Sequence, residues 1–397
     1  MDKTICPNCR SGYCHPFYEV LGVPTNSCLL IDDWAGALNF PTGDVVLAVC
    51  GGCGFIFNAA WDPLRTIYSD QYEETQGFSR TFNTFNRTIA EELVSRYDVR
   101  GKTVLEIGCG KGEFLSLLCK LGDNRGIGYD PSFVPDRQHS DQNVRFMREF
   151  FTEDTNEAAP DLLCCKMTLE HIGQTHQFLT SVRSVANRKD AVIFFQVPDV
   201  RRILQEGAFW DIYYEHCSYF SYSSLKRLFT GTGFAVERIW TGYGGQYLMI
   251  VASPTEHESD VKPGDEDDVA AIMRMCGSFA AAVAHSRASW LDRLRNWAAA
   301  GQRTVLWGSG SKAVAFLTTL GVHEEIEHAV DINPYRAGKF LPGTGQKIVA
   351  PSFLRKYRPD NVVIMNPVYL AEVGQELARQ HCEPQVYTIL DIESKLT

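Results

Sequence analysis

The sequence predicts an α/β protein in three parts: a small N-terminal zinc-binding unit, a central doubly wound sheet and a smaller Rossmann-like α/β unit at the C-terminus. Three observations carry that expectation. Two C-x2-C pairs stand near the N-terminus, two strand, glycine-loop, helix stretches follow, and short apolar strands alternate with helical segments after each loop. Such alternation builds a parallel sheet with helices on both faces. A chain of 397 residues is too long for one ordinary core and suits two or three domains.

Composition narrows the function classes. Apolar residues at 45% and charged residues at 22% are the proportions of folded protein, not of disordered or fibrous chains. A net charge of -10 argues against a nucleic-acid partner, because binding a phosphate backbone needs a concentrated basic surface; a small anionic substrate in one basic pocket stays open. No apolar run reads as a membrane span, and MDKTICPNCR has no signal-peptide core. The expected location is therefore the cytoplasm, where thiols stay reduced and bind metal, react or pack. The sequence does not indicate an oligomeric state.

Residues 1–57 carry CPNC (Cys6, Cys9) and CGGC (Cys50, Cys53). Each pair offers two thiolates across a tight turn, and together they supply the tetrahedral set that zinc accepts. Four protein ligands leave no open coordination position, so the expected zinc is structural. Cys14 and Cys28 lack such a partner and are expected to be buried thiols or loop residues.

Residues 58–254 form the second part. FNRTIAEELVSRYDV (85–99) reads as an amphipathic helix, and GKTVLEIGCGKGEFLSLLCKLG (101–122) as strand, glycine turn and helix. NRGIGYD, DLLCCKM and AVIFFQV then read as strands. The loop residues Glu106, Gly108, Gly110 and Gly112 follow E-x-G-x-G-x-G, not the G-x-G-x-x-G of dinucleotide binders. Asp130 ends the next strand about twenty residues on, where a carboxylate can accept both ribose hydroxyls of a nucleoside. Phe150 and Phe151 follow the expected third strand, positioned either to flank an adenine or to pack in the core.

Residues 255–299 hold an acidic linker within PTEHESDVKPGDEDD (254–268) and a long alanine-rich helix from residue 270. Residues 300–397 repeat the strand, glycine-loop, helix order in TVLWGSGSKAVAFLTTLG, EEIEHAVDIN and NVVIMNP. GSGSK (308–312) offers backbone N–H groups and Lys312 to a diphosphate, or serves only to stabilise the domain, and Asp331 ends the following strand. No tandem repeat is present, which excludes a solenoid.

The loop LEIGCGKG, Asp130 and the later MTLEHI (167–172) resemble the motifs of class I S-adenosylmethionine-dependent methyltransferases. That resemblance implies S-adenosylmethionine as methyl donor, held by Glu106, Gly108, Gly110, Gly112 and Asp130, with Phe151 and Tyr72 beside it. Glu170 and His171 of MTLEHI read equally as an exposed helix start or as substrate contacts. YSDQYEETQGFS, with Tyr68, Tyr72 and Phe78, reads as a connecting segment or, by the resemblance, as a cover over donor and acceptor.

DIYYEHCSYF (211–220) crowds three tyrosines, a glutamate and a histidine into ten positions. Methyl transfer is an in-line displacement that demands alignment of the reacting atoms within about 3 Å. A carbon acceptor demands more, because a proton must leave carbon and the resulting enolate must be stabilised. His216, with an ordinary pKa of about 6.5, is suited to be that base, and phenols can relay the proton or donate to the oxyanion. Tyr213 and His216 share one face of a helical turn, but the residues alone do not rank Tyr213, Tyr214 and Tyr219, and packing is the ordinary fate of such aromatics.

The order CxxC…CxxC, LEIGCGKG, FWDIYYEHCSYFS, YGGQY and a C-terminal glycine loop followed by PGT is similar to that of the three-domain sugar C-methyltransferases. These act on nucleotide-linked 4-keto deoxysugars, the TDP-sugar C3-methyltransferases being the best known. The likeness spans nearly the whole chain, and YEHxxYFS is its most specific piece. It implies that His216 removes the C3 proton with help from Tyr213 and Glu215. It also implies a small-molecule acceptor, a nucleotide sugar, met by Tyr214, Tyr219, Gln246, Lys312, Asn366 and Tyr369, with Glu372 and the FLPGTGQKI loop facing the cleft. GSGSK has fewer glycines and MNPVY fewer aromatics than the family pattern, which leaves the acceptor's identity open. Two other readings stand beside this one: an O- or N-methyltransferase of the same architecture, and a zinc-stapled binding protein without turnover. The intact glycine loop and Asp130 count against the second.

Overall fold

Short runs of mostly apolar residues form the strands of three sheets. The structure is a computed structural model that describes residues 5–137, 142–153, 159–256 and 266–391. Most of the expected acidic linker, residues 257–265, lies outside the described residues.

In the N-terminal part, β1 (Cys14–Pro24), β2 (Thr42–Cys50) and β3 (Ile56–Asn58) pair antiparallel. The middle part contains β4 (Thr103–Ile107), β5 (Arg125–Tyr129), β6 (Val144–Met147), β7 (Leu162–Lys166) and β8 (Val192–Pro198), all parallel. Two-residue β9 (Ser218–Tyr219) leaves this part and pairs with β3, so the tail of DIYYEHCSYF supplies the first sheet's fourth strand. The antiparallel pair β10 (Phe234–Gly242) and β11 (Tyr247–Pro254) completes the middle sheet in the order β10-β11-β8-β7-β4-β5-β6. Its strand order turns around between β4 and β7, and ligands bind outside the carboxyl ends of strands at such a switch point.

The C-terminal sheet is wholly parallel: β12 (Thr304–Trp307), β13 (His328–Val330), β14 (Lys347–Val349), β15 (Asn361–Ile364) and β16 (Gln385–Thr388), ordered β14-β13-β12-β15-β16. Its switch point lies between β12 and β15. Residues after the strands at both switch points line one shared cavity, which is how two nucleotide-type folds come to face a single space.

Two expected helices begin earlier than their periodicity suggests. The helix read at 85–99 spans Arg80–Arg96, because the Ser79 hydroxyl accepts the Phe82 N–H at 3.2 Å and caps it. The alanine-rich helix spans Glu266–Ala299. Contrary to the expectation that no run reads as a span, its stretch from Asp268 is long and apolar enough by length and composition, with a mean hydropathy of 1.3. Its apolar face has another use: Ile272, Phe279, Val283, Trp290 and Leu294 are buried in a core shared with Val45 and Leu47 of β2, Trp210 and Phe316. The FLPGTGQKI loop does not face the cleft either. Gly343 packs on Pro24 and Gly345 on Trp34, where added Cβ atoms would come within 2.7 and 2.8 Å of those side chains.

Trp290 fastens the long helix to the C-terminal unit: its indole N–H donates to the Ile389 carbonyl at 3.2 Å, and its ring meets Phe316 edge-on at 5.4 Å. Trp290→Ala should therefore lower unfolding stability by about 3–5 kcal/mol. Denaturant titration checks this, and a loss below about 1 kcal/mol would show that the helix does not depend on that contact.

Candidate functional site

The shared cavity has a volume of about 570 Å³ and takes walls from every part of the chain. Cys28 comes from the first unit; Met167, Glu170, His171, Tyr213, Glu215 and His216 from the middle; Gly308 to Lys312, Asp331, Asn366 and Tyr369 from the last. A segment that crosses between them, residues 72–80, closes one side.

Asp211 ends a short 3-10 turn, and the chain then doubles back so that the His216 N–H meets the Tyr213 carbonyl at 3.2 Å. That turn sets the Tyr213 hydroxyl 3.0 Å from His216 Nε2, with ring centroids 4.1 Å apart. The His171 ring stands edge-on to His216 at 4.8 Å, and the Tyr68 hydroxyl is 2.9 Å from His171 Nδ1. Burial drives the His216 pKa well below its ordinary value, with His171 and Lys312 adding to the effect; burial lowers His171 to about 4. Both rings are therefore neutral near pH 7, with an unprotonated nitrogen on each. Glu215 accepts the Ser27 N–H at 2.8 Å and the Tyr72 hydroxyl at 3.4 Å, while burial pushes its pKa up to about 7.

Two tyrosines expected among the acceptor contacts do not line the cavity. Tyr214 packs against Gly43, where an added Cβ would lie 2.4 Å from the ring, and its hydroxyl accepts the Asp62 N–H at 2.9 Å. Tyr214 is the second residue of the turn that Tyr213 and His216 close, and its side chain leaves on the side away from the cavity. Tyr219 belongs to β9 and sits in the core, its ring 6.3 Å from that of His216. Lys312 does line the cavity, but its ammonium is bound to the Asp211 carboxylate, which also takes Arg202 Nη2 at 2.6 Å. The charge expected to hold a diphosphate is thus already neutralised within the protein. Sequence reading missed Asp211 and Arg202; both stand beside the diagnostic segment, but no local signal links them to Lys312 a hundred residues on.

At the glycine loop, Gly108, Gly110 and Gly112 all have positive φ, of 69°, 54° and 83°. Close approach demands glycine here: a Cβ on Gly108 would lie 1.9 Å from Thr168 Oγ1, and one on Gly110 2.6 Å from Glu74 Oε1. Asp130 Oδ2 accepts the Gly110 N–H at 2.8 Å, and Oδ1 accepts the Ser132 N–H and hydroxyl at 2.7 Å each. Glu106 lies beneath the loop, buried near Lys166, with its pKa raised to about 8 by burial. Phe151 packs on Tyr129 at 5.8 Å and borders a separate shallow groove with Phe178, outside the main cavity.

The strap over this loop is tied on several sides. Lys111 Nζ donates to the Tyr72 carbonyl at 2.6 Å and lies 3.4 Å from Glu74, and the Thr75 hydroxyl donates to Glu113 at 2.5 Å. Glu73 accepts Asn333 Nδ2 at 2.8 Å and pairs with Arg137 at 2.6 Å. From the C-terminal unit, Tyr369 donates to Gln76 at 2.6 Å, and Glu372 accepts the Ser79 hydroxyl at 2.8 Å and the Thr81 N–H at 3.0 Å. Gln246 and Asn366 exchange amide hydrogen bonds of 2.7 and 3.2 Å across the cavity wall.

Away from the cavity, Cys6 and Cys53 sulfurs lie 3.8 Å apart and those of Cys9 and Cys50 3.6 Å, all four within 4.8 Å of one another. Four converging thiols, three of them buried, match the donor set of a tetrahedral zinc site. Cys14 lies opposite Cys50 in the β1–β2 register, and Cys28 is buried on the cavity wall, 3.4 Å from the Ser311 hydroxyl.

Residues 81–239 match the family described as a methyltransferase domain, and residues 254–385 the family described as a C-methyltransferase C-terminal domain. C-methyltransferase NovU of Streptomyces niveus is 27% identical over 289 residues, covering 69% of this chain and 68% of that protein. Among solved structures, magnesium protoporphyrin IX methyltransferase (ChlM) from Synechocystis overlaps with a TM-score of 0.36 at 15% identity, over 44% of this chain and 84% of that one. 1,6-Didemethyltoxoflavin-N1-methyltransferase of Burkholderia thailandensis overlaps with a TM-score of 0.36 at 18% identity, over 45% and 83% of the two chains.

Burial pushes the Glu372 carboxyl up, but hydrogen bonds from Thr81 and Ser79 outweigh it and hold the pKa below the ordinary value. The stability that carboxylate contributes is present above the unfolded pKa and is lost as pH falls through the folded one. Glu372→Ala should lower stability by about 0.5–1 kcal/mol at pH 7, the partly exposed carboxylate being screened by solvent, and by less at pH 3–4, and should speed amide exchange in residues 72–81. Hydrogen-exchange mass spectrometry reads the second effect; unchanged exchange there would show that the tether does not hold the strap.

Proposed function

We propose, from the premise that the chain belongs to the C-methyltransferase family and is an S-adenosylmethionine-dependent methyltransferase, that it methylates a carbon beside the ketone of a nucleotide-linked 4-keto deoxysugar. The observation that carries this reading is a neutral imidazole on the wall of a large cavity: His216, with the Tyr213 hydroxyl 3.0 Å from Nε2. An oxygen or nitrogen acceptor needs at most a weak proton acceptor, whereas a carbon acceptor needs a positioned base and a stabilised enolate.

In this reading His216 takes the proton from the carbon next to the ketone. Tyr213 orients the ring and stabilises the imidazolium that forms. Glu215, held by Ser27 and Tyr72, links the base to the strap and the N-terminal unit. When bound, S-adenosylmethionine supplies the methyl group as a sulfonium electrophile. Gly108, Gly110 and Gly112 would allow its close approach, Asp130 would receive its ribose hydroxyls, and Tyr72 and Glu74 of the strap would lie over it. The nucleotide sugar enters from the C-terminal unit, past Gln246, Asn366, Tyr369 and the 308–312 loop, with Asp331 at the strand end. Asp331 supports that placement, because it repeats the hydrogen bonding of Asp130: Oδ2 accepts the Ser309 N–H at 3.0 Å and Oδ1 the Asn333 N–H at 2.8 Å. Cys6, Cys9, Cys50 and Cys53 would hold a structural zinc ion.

His216→Ala should reduce methyl transfer by about 10²–10⁴-fold while leaving calorimetric S-adenosylmethionine binding unchanged. A carbon acceptor deuterated beside its ketone should lose the label; near-full activity of the variant, or retained deuterium, would overturn the assignment. Cys50→Ser should remove bound zinc and lower thermal stability, as read by metal analysis and calorimetry. Unchanged zinc content would show that the four thiols do not form the site.

A further inference from the structure

We propose that the Glu170 side chain acts as a neutral acid that donates a hydrogen bond to the acceptor's carbonyl oxygen and stabilises the enolate formed when His216 removes the adjacent proton. This role rests on the functional reading above and adds a residue that reading does not use. Glu170 sits in the 3-10 turn Leu169–His171 directly after β7, at the switch point of the middle sheet. Leu169 anchors the turn in the core, so the glutamate's position on the cavity wall is fixed. Its side chain is 1% exposed, and neither carboxyl oxygen has a hydrogen-bond partner among the described residues. Its oxygen lies within 4.8 Å of the ring nitrogens of both His171 and His216. An unsatisfied buried carboxyl costs about 1–3 kcal/mol, a cost removed when a ligand supplies the missing acceptor.

The surroundings keep the group protonated. Cys165 on β7, His171 on the same turn, Tyr213, His216 and Cys217 on the following segment, Tyr68 just before the strap and Tyr247 on β11 face it, and none is a cation near pH 7. β8, which also packs on the turn, has no titratable side chain. Lys312, which faces His216, is paired with Asp211 and is not among the groups that shift Glu170. Burial without a counter-charge raises Glu170 to about 8, so at pH 7 it carries an O–H. A carboxylic acid held neutral in a dry pocket is an effective donor to a developing oxyanion. The bookkeeping is simple: the C–H bond breaks, its proton goes to His216, and its electron pair moves through the new C=C bond onto the carbonyl oxygen. That oxygen then accepts the Glu170 hydrogen bond without taking the proton.

Enolisation can be followed apart from methyl transfer, by NMR of proton–deuteron exchange beside the ketone of a nucleotide-linked 4-keto deoxysugar, in D2O with S-adenosylhomocysteine present. Glu170→Ala should exchange about 10²–10³-fold more slowly than the unaltered enzyme. Glu170→Gln, whose amide N–H still donates but does not titrate, should keep most of the activity at pH 7. It should also remain flat through pH 8–9, where the unaltered enzyme declines as the acid ionises. Exchange by Glu170→Ala within about twofold of the unaltered enzyme, or a Glu170→Gln profile with the same alkaline decline, would overturn the role. Should Glu170→Ala fail to fold, the glutamine profile decides alone. Absence of exchange in the unaltered enzyme would overturn the keto-sugar reading and this role together, whereas equal exchange in the unaltered enzyme and Glu170→Ala would overturn only the role.

Discussion

The cavity depends on one buried carboxylate. Asp211 opens the segment that carries Tyr213, Glu215 and His216, and it is held between Arg202 of the middle unit and Lys312 of the C-terminal unit. Burial alone would raise its pKa, but the two cations outweigh that and hold the carboxylate ionised. Removing one partner of such a buried set costs about 3–5 kcal/mol, because the others are left uncompensated. The segment carrying His216 is thus anchored by a charge cluster that joins the middle and C-terminal units, and Glu215 ties the same segment to the N-terminal unit through Ser27.

Much of this architecture was legible in the chain itself, wherever local chemistry determines the outcome. The C-x2-C pairs converge as their spacing requires, and both glycine loops sit between strand and helix, with an acid at the end of the next strand. Tyr213 and His216 meet because a turn brings residues three apart together. What remained hidden depends on contacts distant in sequence. Tyr214 differs from Tyr213 by one position, yet inside the same turn its ring goes to Gly43. Lys312 reads as an anion ligand until Asp211, 101 residues away, is seen to occupy it. The apolar length of the helix Glu266–Ala299 says nothing by itself of the core that covers it.

The two α/β units are built alike at their switch points. Asp130 and Asp331 each accept one N–H from their own glycine loop and another from the residue two positions on. The same electrostatic device, an acid fixing a glycine loop through backbone N–H groups, therefore appears twice, and the second loop with its acid lines the cavity. The units differ in what lies over the loop. The strap covers the first, while the second opens directly onto the shared space.

The strap makes the two sides interdependent. Its residues Tyr72 to Thr81 touch Lys111 and Glu113 on one side and Asn333, Tyr369 and Glu372 on the other. A change that reshapes one wall of this partition also shifts the other. On the function proposed above, substitutions in the last domain that broaden the acceptor range will accordingly register as altered methyl-donor affinity, and the two specificities will have to be evolved as a pair.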